Sequence, residues 1–124
     1  MILADSSFLV AFFDKTDSQH EKAVADMKKI EEQALDILVN EHVLGETATV
    51  LLYRAGLNSA KIFLNYAEEN FKIECGEYRQ AIFKIFSDQK RQLSYIDASV
   101  IHLSRFLRVP VICYDENILK EINL

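Results

Sequence analysis

This sequence predicts an α/β fold, in which a parallel sheet is covered by helices on both faces. Three observations predict it. Short apolar runs alternate along the chain with longer amphipathic segments, as buried parallel strands alternate with crossover helices. Only 3 Gly and 1 Pro occur in 124 residues, too few for an all-β chain of many turns. Half of the residues (50%) are hydrophobic, enough to fill a core, and the length suits one domain spanning residues 1–124.

Ile2-Leu3-Ala4 is the first strand, closed by Asp5. Ser6-Ser7 offers a cap for the run from Phe8 to Phe13, which is apolar all round and so expected to be buried. Asp17-Ser18 opens a second helix with Ala23/Val24, Met27, Ile30 and Ala34 on its stripe. Ile37-Leu38-Val39 is the second strand. Asn40 can cap a helix that carries Val43, Val50, Leu51 and Tyr53 and stops at Gly56. Asn58-Ser59 starts the next helix, with Ala60, Phe63, Leu64 and Ala67 on one face. Phe71 to Cys75 alternates as a third strand, and Tyr78, Ala81, Ile82 and Ile85 mark a helix reaching about Arg91. A helix from Ser94 to Arg108 aligns Ile96, Val100, Leu103 and Leu107. The fourth strand runs from Val109 to Tyr114, and a short helix from Glu116 to Ile122 follows.

The net charge is −5, with 14 basic and 19 acidic residues, which argues against a general electrostatic nucleic-acid binder but not against a nuclease whose acids hold metal. Cys75 and Cys113 lack any CxxC spacing; both end strand-like runs and read as buried free thiols of a reducing cytoplasm. The N-terminus has no basic region and is interrupted by Asp5, unlike a signal peptide. No uncharged apolar stretch is long enough to span a bilayer. His20, His42 and His102 form no HxxxH or HExxH pattern, so zinc is not expected. GxSxG and P-loop motifs are absent too.

Four acids stand out by position. Asp5 and Asp115 follow the first and last strands, at the edge where open parallel sheets place their sites. Each also has a plain structural use as a helix cap, and Ser94-x-x-Asp97 is a capping box. Glu46 is harder to explain structurally, because it lies on one helix face with Val43 and Val50 and interrupts an apolar stripe. A carboxylate there is costly unless paired or bound to a cation, and Arg54, eight residues on, is poorly placed to pair with it. Together the four acids fit a divalent-metal cluster for phosphotransfer or hydrolysis. Ser7 is either a cap or a group that orients Asp5 or a water. Arg54 could reach a bound phosphate.

Taken in order, these residues resemble a PIN domain, most like the compact VapC-type toxins of prokaryotic toxin–antitoxin pairs. Three stretches carry the resemblance. The first is Ile2-Leu3-Ala4-Asp5-Ser6-Ser7, continuing through Asp17 to His20-Glu21-Lys22-Ala23. The second is Val43-Leu44-Gly45-Glu46-Thr47, with Val50-Leu51 and Arg54-Ala55-Gly56. The third is Leu93-Ser94-Tyr95-Ile96-Asp97-Ala98, with Val111-Ile112-Cys113-Tyr114-Asp115. The resemblance implies a three-layer α/β/α sandwich with a four- or five-stranded parallel sheet. It implies an acidic site of Asp5, Glu46, Asp97 and Asp115 binding Mg²⁺ or Mn²⁺, endoribonuclease activity, a homodimer and a small antitoxin partner. Two positions depart from it: Cys113 stands where Thr or Ser is usual, and Ile118 where Phe is common. A fifth edge strand would be confined to Ile122-Asn123-Leu124 or missing.

Two other functions fit a parallel α/β chain. A receiver-like phosphoacceptor module would need an adjacent acidic pair and a late Lys-Pro; here Asp5 precedes Ser6 and Pro110 follows Val109. A PIN-like binding module without catalysis would be expected to have lost some of the four acids.

Overall fold

The computed structural model describes residues 1–123. Among these residues, four strands, β1 (Ile2–Ala4), β2 (Ile37–Asn40), β3 (Lys72–Glu74) and β4 (Val111–Ile112), form one parallel sheet in the order β3-β2-β1-β4. Leu3 stands opposite Leu38 on one side and Val111 on the other. All four residues of β2 are buried, as both faces of a covered parallel strand should be.

Among the described residues, seven helices connect and follow the strands: α1 (Ser6–Phe13), α2 (His20–Glu32), α3 (Glu41–Ala55), α4 (Leu57–Asn70), α5 (Arg79–Asp88), α6 (Tyr95–Leu107) and α7 (Glu116–Ile122). They pack in two groups. α1 packs on α2 and α3, and α3 packs on α4; α5 and α7 pack on α6. The chain steps from β1 to β2 to β3, then reverses past β1 to β4. With right-handed crossovers, that reversal puts the two helix groups on opposite faces and makes three layers. It also creates a topological switch point between β1 and β4. The core centres on Leu3, Phe8, Leu9, Val39, Leu51, Phe63, Ile101 and Ile118, each fully buried. Ile118 therefore fills the core position where an aromatic residue was the common alternative.

The structure trims several expected elements, each for a local reason. Asp17 does not open α2. Its Oδ1 accepts the Gln19 N–H at 2.8 Å and its carbonyl accepts the His20 N–H at 3.0 Å, so a turn precedes the helix. α5 stops at Asp88 because the next residue, Gln89, turns its side chain onto both the N–H and the carbonyl of Leu93. β4 is two residues long instead of six: Ser104 Oγ takes the Val109 carbonyl, and Ser7 Oγ takes the Tyr114 N–H. β3 ends at Glu74, which leaves Cys75 exposed at the sheet edge; only Cys113 is a buried thiol. Ile122 closes α7 instead of starting a fifth strand, and Leu124 lies outside the described residues.

α3 and α4 meet at Gly56, whose φ of +94° and ψ of 170° lie in a region essentially reserved for glycine. A Cβ there would meet no atom within 4 Å, so substitution costs backbone strain and not steric clash. Gly56→Ala should lower stability in urea denaturation by ~1–3 kcal/mol. An unchanged midpoint would show that this joint relaxes freely.

Candidate active site at the carboxyl edge of the sheet

Three of the four acids stand at the start of a helix, and the fourth lies within α3. Asp5 leaves β1 and caps α1, its Oδ2 accepting from the Ser7 N–H (3.2 Å) and the Ser7 hydroxyl (2.8 Å). Asp115 leaves β4 and caps α7, its Oδ1 accepting from the N–H groups of Asn117 and Ile118. Asp97 completes the expected capping box: its Oδ2 accepts the Ser94 N–H at 2.9 Å, while Ser94 Oγ accepts the Asp97 N–H. Glu46 stands mid-helix on α3 and is half-buried. Three of these acids thus sit at helix N-termini, where the partial positive charge of free N–H groups offsets some of their repulsion.

The capping duties leave oxygens unused. Asp5 is only 2% exposed, and its Oδ1 is buried without a hydrogen-bond partner among the described residues. Glu46 Oε2 is in the same condition. A buried, unpaired carboxylate oxygen is costly unless a cation or a proton compensates it. The electrostatics agree. Burial pushes the Glu46 carboxyl above its usual range, the Ser6 hydroxyl beside it works the other way, and the charges of Asp5 and Asp97 push it further up. Asp97 is also raised, first by burial and then by the charges of Asp5 and Asp115, against the lowering effect of its Ser94 hydrogen bonds. All four acids therefore act within one electrostatic neighbourhood. They are not drawn into a closed cage: among the described residues, no three His, Cys, Asp or Glu side chains are gathered tightly enough to enclose an ion.

The donor set nevertheless suits a hard divalent cation. Mg²⁺ retains several waters and is typically held by one or two carboxylates, so the orphaned oxygens of Asp5 and Glu46 are a sufficient starting set. The site is also braced. Ser7 Oγ donates to Asp5 and accepts the Tyr114 N–H at 2.9 Å, which ties the end of β1 to the end of β4. Cys113 does the work expected of a hydroxyl: its Sγ accepts the Asp115 N–H at 3.2 Å and lies 3.5 Å from Asp5 Oδ2 as a donor. Burial pushes this thiol up to about 12, with the Asp5 charge adding to the effect, so it keeps its proton.

Asn40 was legible in the sequence only as a cap. Its Oδ1 does accept the Val43 N–H at 2.7 Å, but its Nδ2 also reaches Ser99 Oγ at 2.9 Å. That buried bond joins the start of α3 to α6 and so fixes Glu46 relative to Asp97. No local pattern links residues 40 and 99. Arg54 pairs with Asp17 at 3.1 Å instead of with Glu46, on the wall of a cleft of about 320 Å³ that also includes Ser6, Ser7 and Glu46. A cleft of about 580 Å³ between Phe12, Phe13 and Ile62 contains none of the four acids.

Comparison with known proteins follows the same lines. The model of the PIN domain matches residues 2–123. No curated protein sequence matches the chain. Among solved structures, it is similar to VapC20 of Mycobacterium tuberculosis, a toxin that cleaves the sarcin–ricin loop. The TM-score is 0.82 at 22% identity, over 97% of this chain and 94% of that one. It is also similar to PAE2754 from Pyrobaculum aerophilum, with a TM-score of 0.70 at 16% identity, over 97% and 83% of the two chains. At these identities the structural likenesses establish the fold. The family match spans nearly the whole sequence, and on that ground this chain belongs to the PIN domain family.

Proposed function

We propose that this protein is a metal-dependent endoribonuclease that hydrolyses RNA phosphodiester bonds, and that it is the toxin of a toxin–antitoxin pair. Asp5, Glu46, Asp97 and Asp115 are the catalytic and metal-holding residues, and Ser7 supports Asp5. One observation carries this reading: among the described residues, Asp5 Oδ1, at the end of β1, and Glu46 Oε2, on which the Asp5 charge acts, are both buried and unpartnered. Membership of the PIN family and the likeness to an RNA-cleaving toxin support it. Nothing comparable supports a receiver-like phosphoacceptor, and a non-catalytic binding module leaves the two orphaned oxygens without a purpose.

When bound, Mg²⁺ or Mn²⁺ supplies charge neutralisation at the scissile phosphate and lowers the pKa of a coordinated water. The chain's own residues do the rest. Asp5 and Glu46 offer oxygens already stripped of water and therefore favour a dication. Asp97 and Asp115, each held by its cap, present their remaining oxygens on the same rim. Ser7 and Cys113 hold β1 and β4 in register beneath them.

An antitoxin or a second copy of the chain needs apolar surface. Among the described residues it is present on α3 and α4, where Tyr53, Leu57 and Ile62 are exposed, and on α5 and α6, where Phe83 and Phe106 are exposed. A small antitoxin protein and a homodimer are the partners of this reading, and the cytoplasm is its location. No helix among the described residues is long and apolar enough to cross a membrane.

Two outcomes are expected. Adding Mg²⁺ or Mn²⁺ to chelator-treated protein should raise its melting temperature, because ligands of the native state stabilise by linkage. Asp5→Asn should remove both that rise and RNA cleavage; cleavage surviving in this variant would refute the assignment.

A further expected outcome concerns pH without metal. Glu46 and Asp97 bind their protons more tightly folded than unfolded, where they titrate near 4.5 and 3.8. The folded state therefore carries more protons as pH rises from those values to the raised folded ones. Stability contributed by these groups is complete below that window and is lost as pH rises through it. In EDTA, Glu46→Gln should show a shallower fall of melting temperature above pH 4.5 than the parent. Parallel curves would mean that Glu46 is not under electrostatic pressure.

A further inference from the structure

A second cleft of about 320 Å³ opens where the start of α3, the loop after β3 and the start of α6 meet. None of the four acids lines it, but two of them, Glu46 and Asp97, lie on the helices whose starts form it. His42 precedes Glu46 by one helical turn on the same face of α3. Tyr95 lies in the first turn of α6, as does Asp97. The two rings meet edge-on, with centroids 5.9 Å apart, and bridge the helices that carry those acids. Phe86 of α5 backs Tyr95 at 6.1 Å. An aromatic platform held by neighbouring rings is suited to stacking a nucleobase.

The charge of the cleft selects which part of a nucleotide enters. Glu41 and Glu77 line it, against Arg79 as its only lysine or arginine among the described residues. Two carboxylates repel a phosphodiester but accept hydrogen bonds from a base edge that presents donors. Guanine presents two adjacent donors, the ring N–H and the exocyclic amine, which match one carboxylate in bidentate fashion. Uracil presents one donor between two carbonyls. Arg79, exposed at the border of the cleft, is left for the adjoining phosphate.

We infer that this cleft, built on the His42–Tyr95 pair with Glu41 at its edge, is a guanine-binding subsite that places RNA relative to the acidic rim. This rests on the ribonuclease reading and deepens it by naming a specificity element. The test uses the whole chain with 5′-GMP and 5′-UMP as probes, followed by NMR of the His42 and Tyr95 ring signals. Separately, RNA cleavage positions are mapped by sequencing.

The expected result is that GMP shifts both ring signals and binds about tenfold more tightly than UMP. Tyr95→Ala should weaken GMP binding about tenfold, the scale of one lost stacking contact, while Tyr95→Phe keeps it. Glu41→Gln should reduce the preference for GMP over UMP. Melting curves of the three variants separate lost binding from lost folding. Equal responses to GMP and UMP, or no ring shifts in a preparation that cleaves RNA, would overturn the subsite. Ring shifts with GMP in a preparation that cleaves no RNA would support base binding while removing the nuclease reading, so the two failures are distinguishable.

Discussion

Negative charge crowded at the carboxyl edge of a parallel sheet is the constraint around which this molecule is organised. Asp5 lies at its centre, almost fully buried between the ends of β1 and β4. One of its oxygens is engaged by Ser7 and Cys113, and the other has no partner among the described residues. Like charges on Glu46, Asp97 and Asp115 bear on the same volume. Such an arrangement opposes folding unless dipoles, protons or a cation relieve it. The structure supplies dipoles at three helix N-termini and neutral braces at the half-buried Ser7 and the buried Cys113, Asn40 and Ser99. What remains uncompensated is what a dication would satisfy.

Capping does not compete with the catalytic role proposed for these acids. A carboxylate has two oxygens and about four acceptor sites. Asp97 and Asp115 each commit one oxygen to backbone N–H groups and thereby gain a fixed orientation. The cap leaves the other oxygen free of that duty. Glu46 differs, since no cap explains it. It stands on a helix whose neighbouring positions face the core, and burial is the first cause of its raised carboxyl.

The order of strands and helices was readable because each element carried its own local signal. β2 is a run of apolar residues closed by a capping Asn, α7 begins after a capping Asp, and α6 begins with Ser94-x-x-Asp97; all three stand where the pattern put them. Readings failed where a side chain from elsewhere claimed the backbone. Ser7 and Ser104 shortened β4, and Gln89 stopped α5 early. Cys75 looked like a strand residue because it follows an alternating run, but the sheet edge ends one residue before it.

By itself the sequence determined the alternation of elements, the placement of acids after the first and last strands, and the anomaly of Glu46, because periodicity and capping act over only three or four residues. The tertiary structure alone decided that Asp5 and Glu46 keep buried, unshared oxygens, that Asn40 grips Ser99 across 59 positions, and that His42 meets Tyr95 beside the acids. Those facts depend on crossover paths that bring distant helix starts to one edge of a sheet, and no short-range pattern encodes which starts will meet.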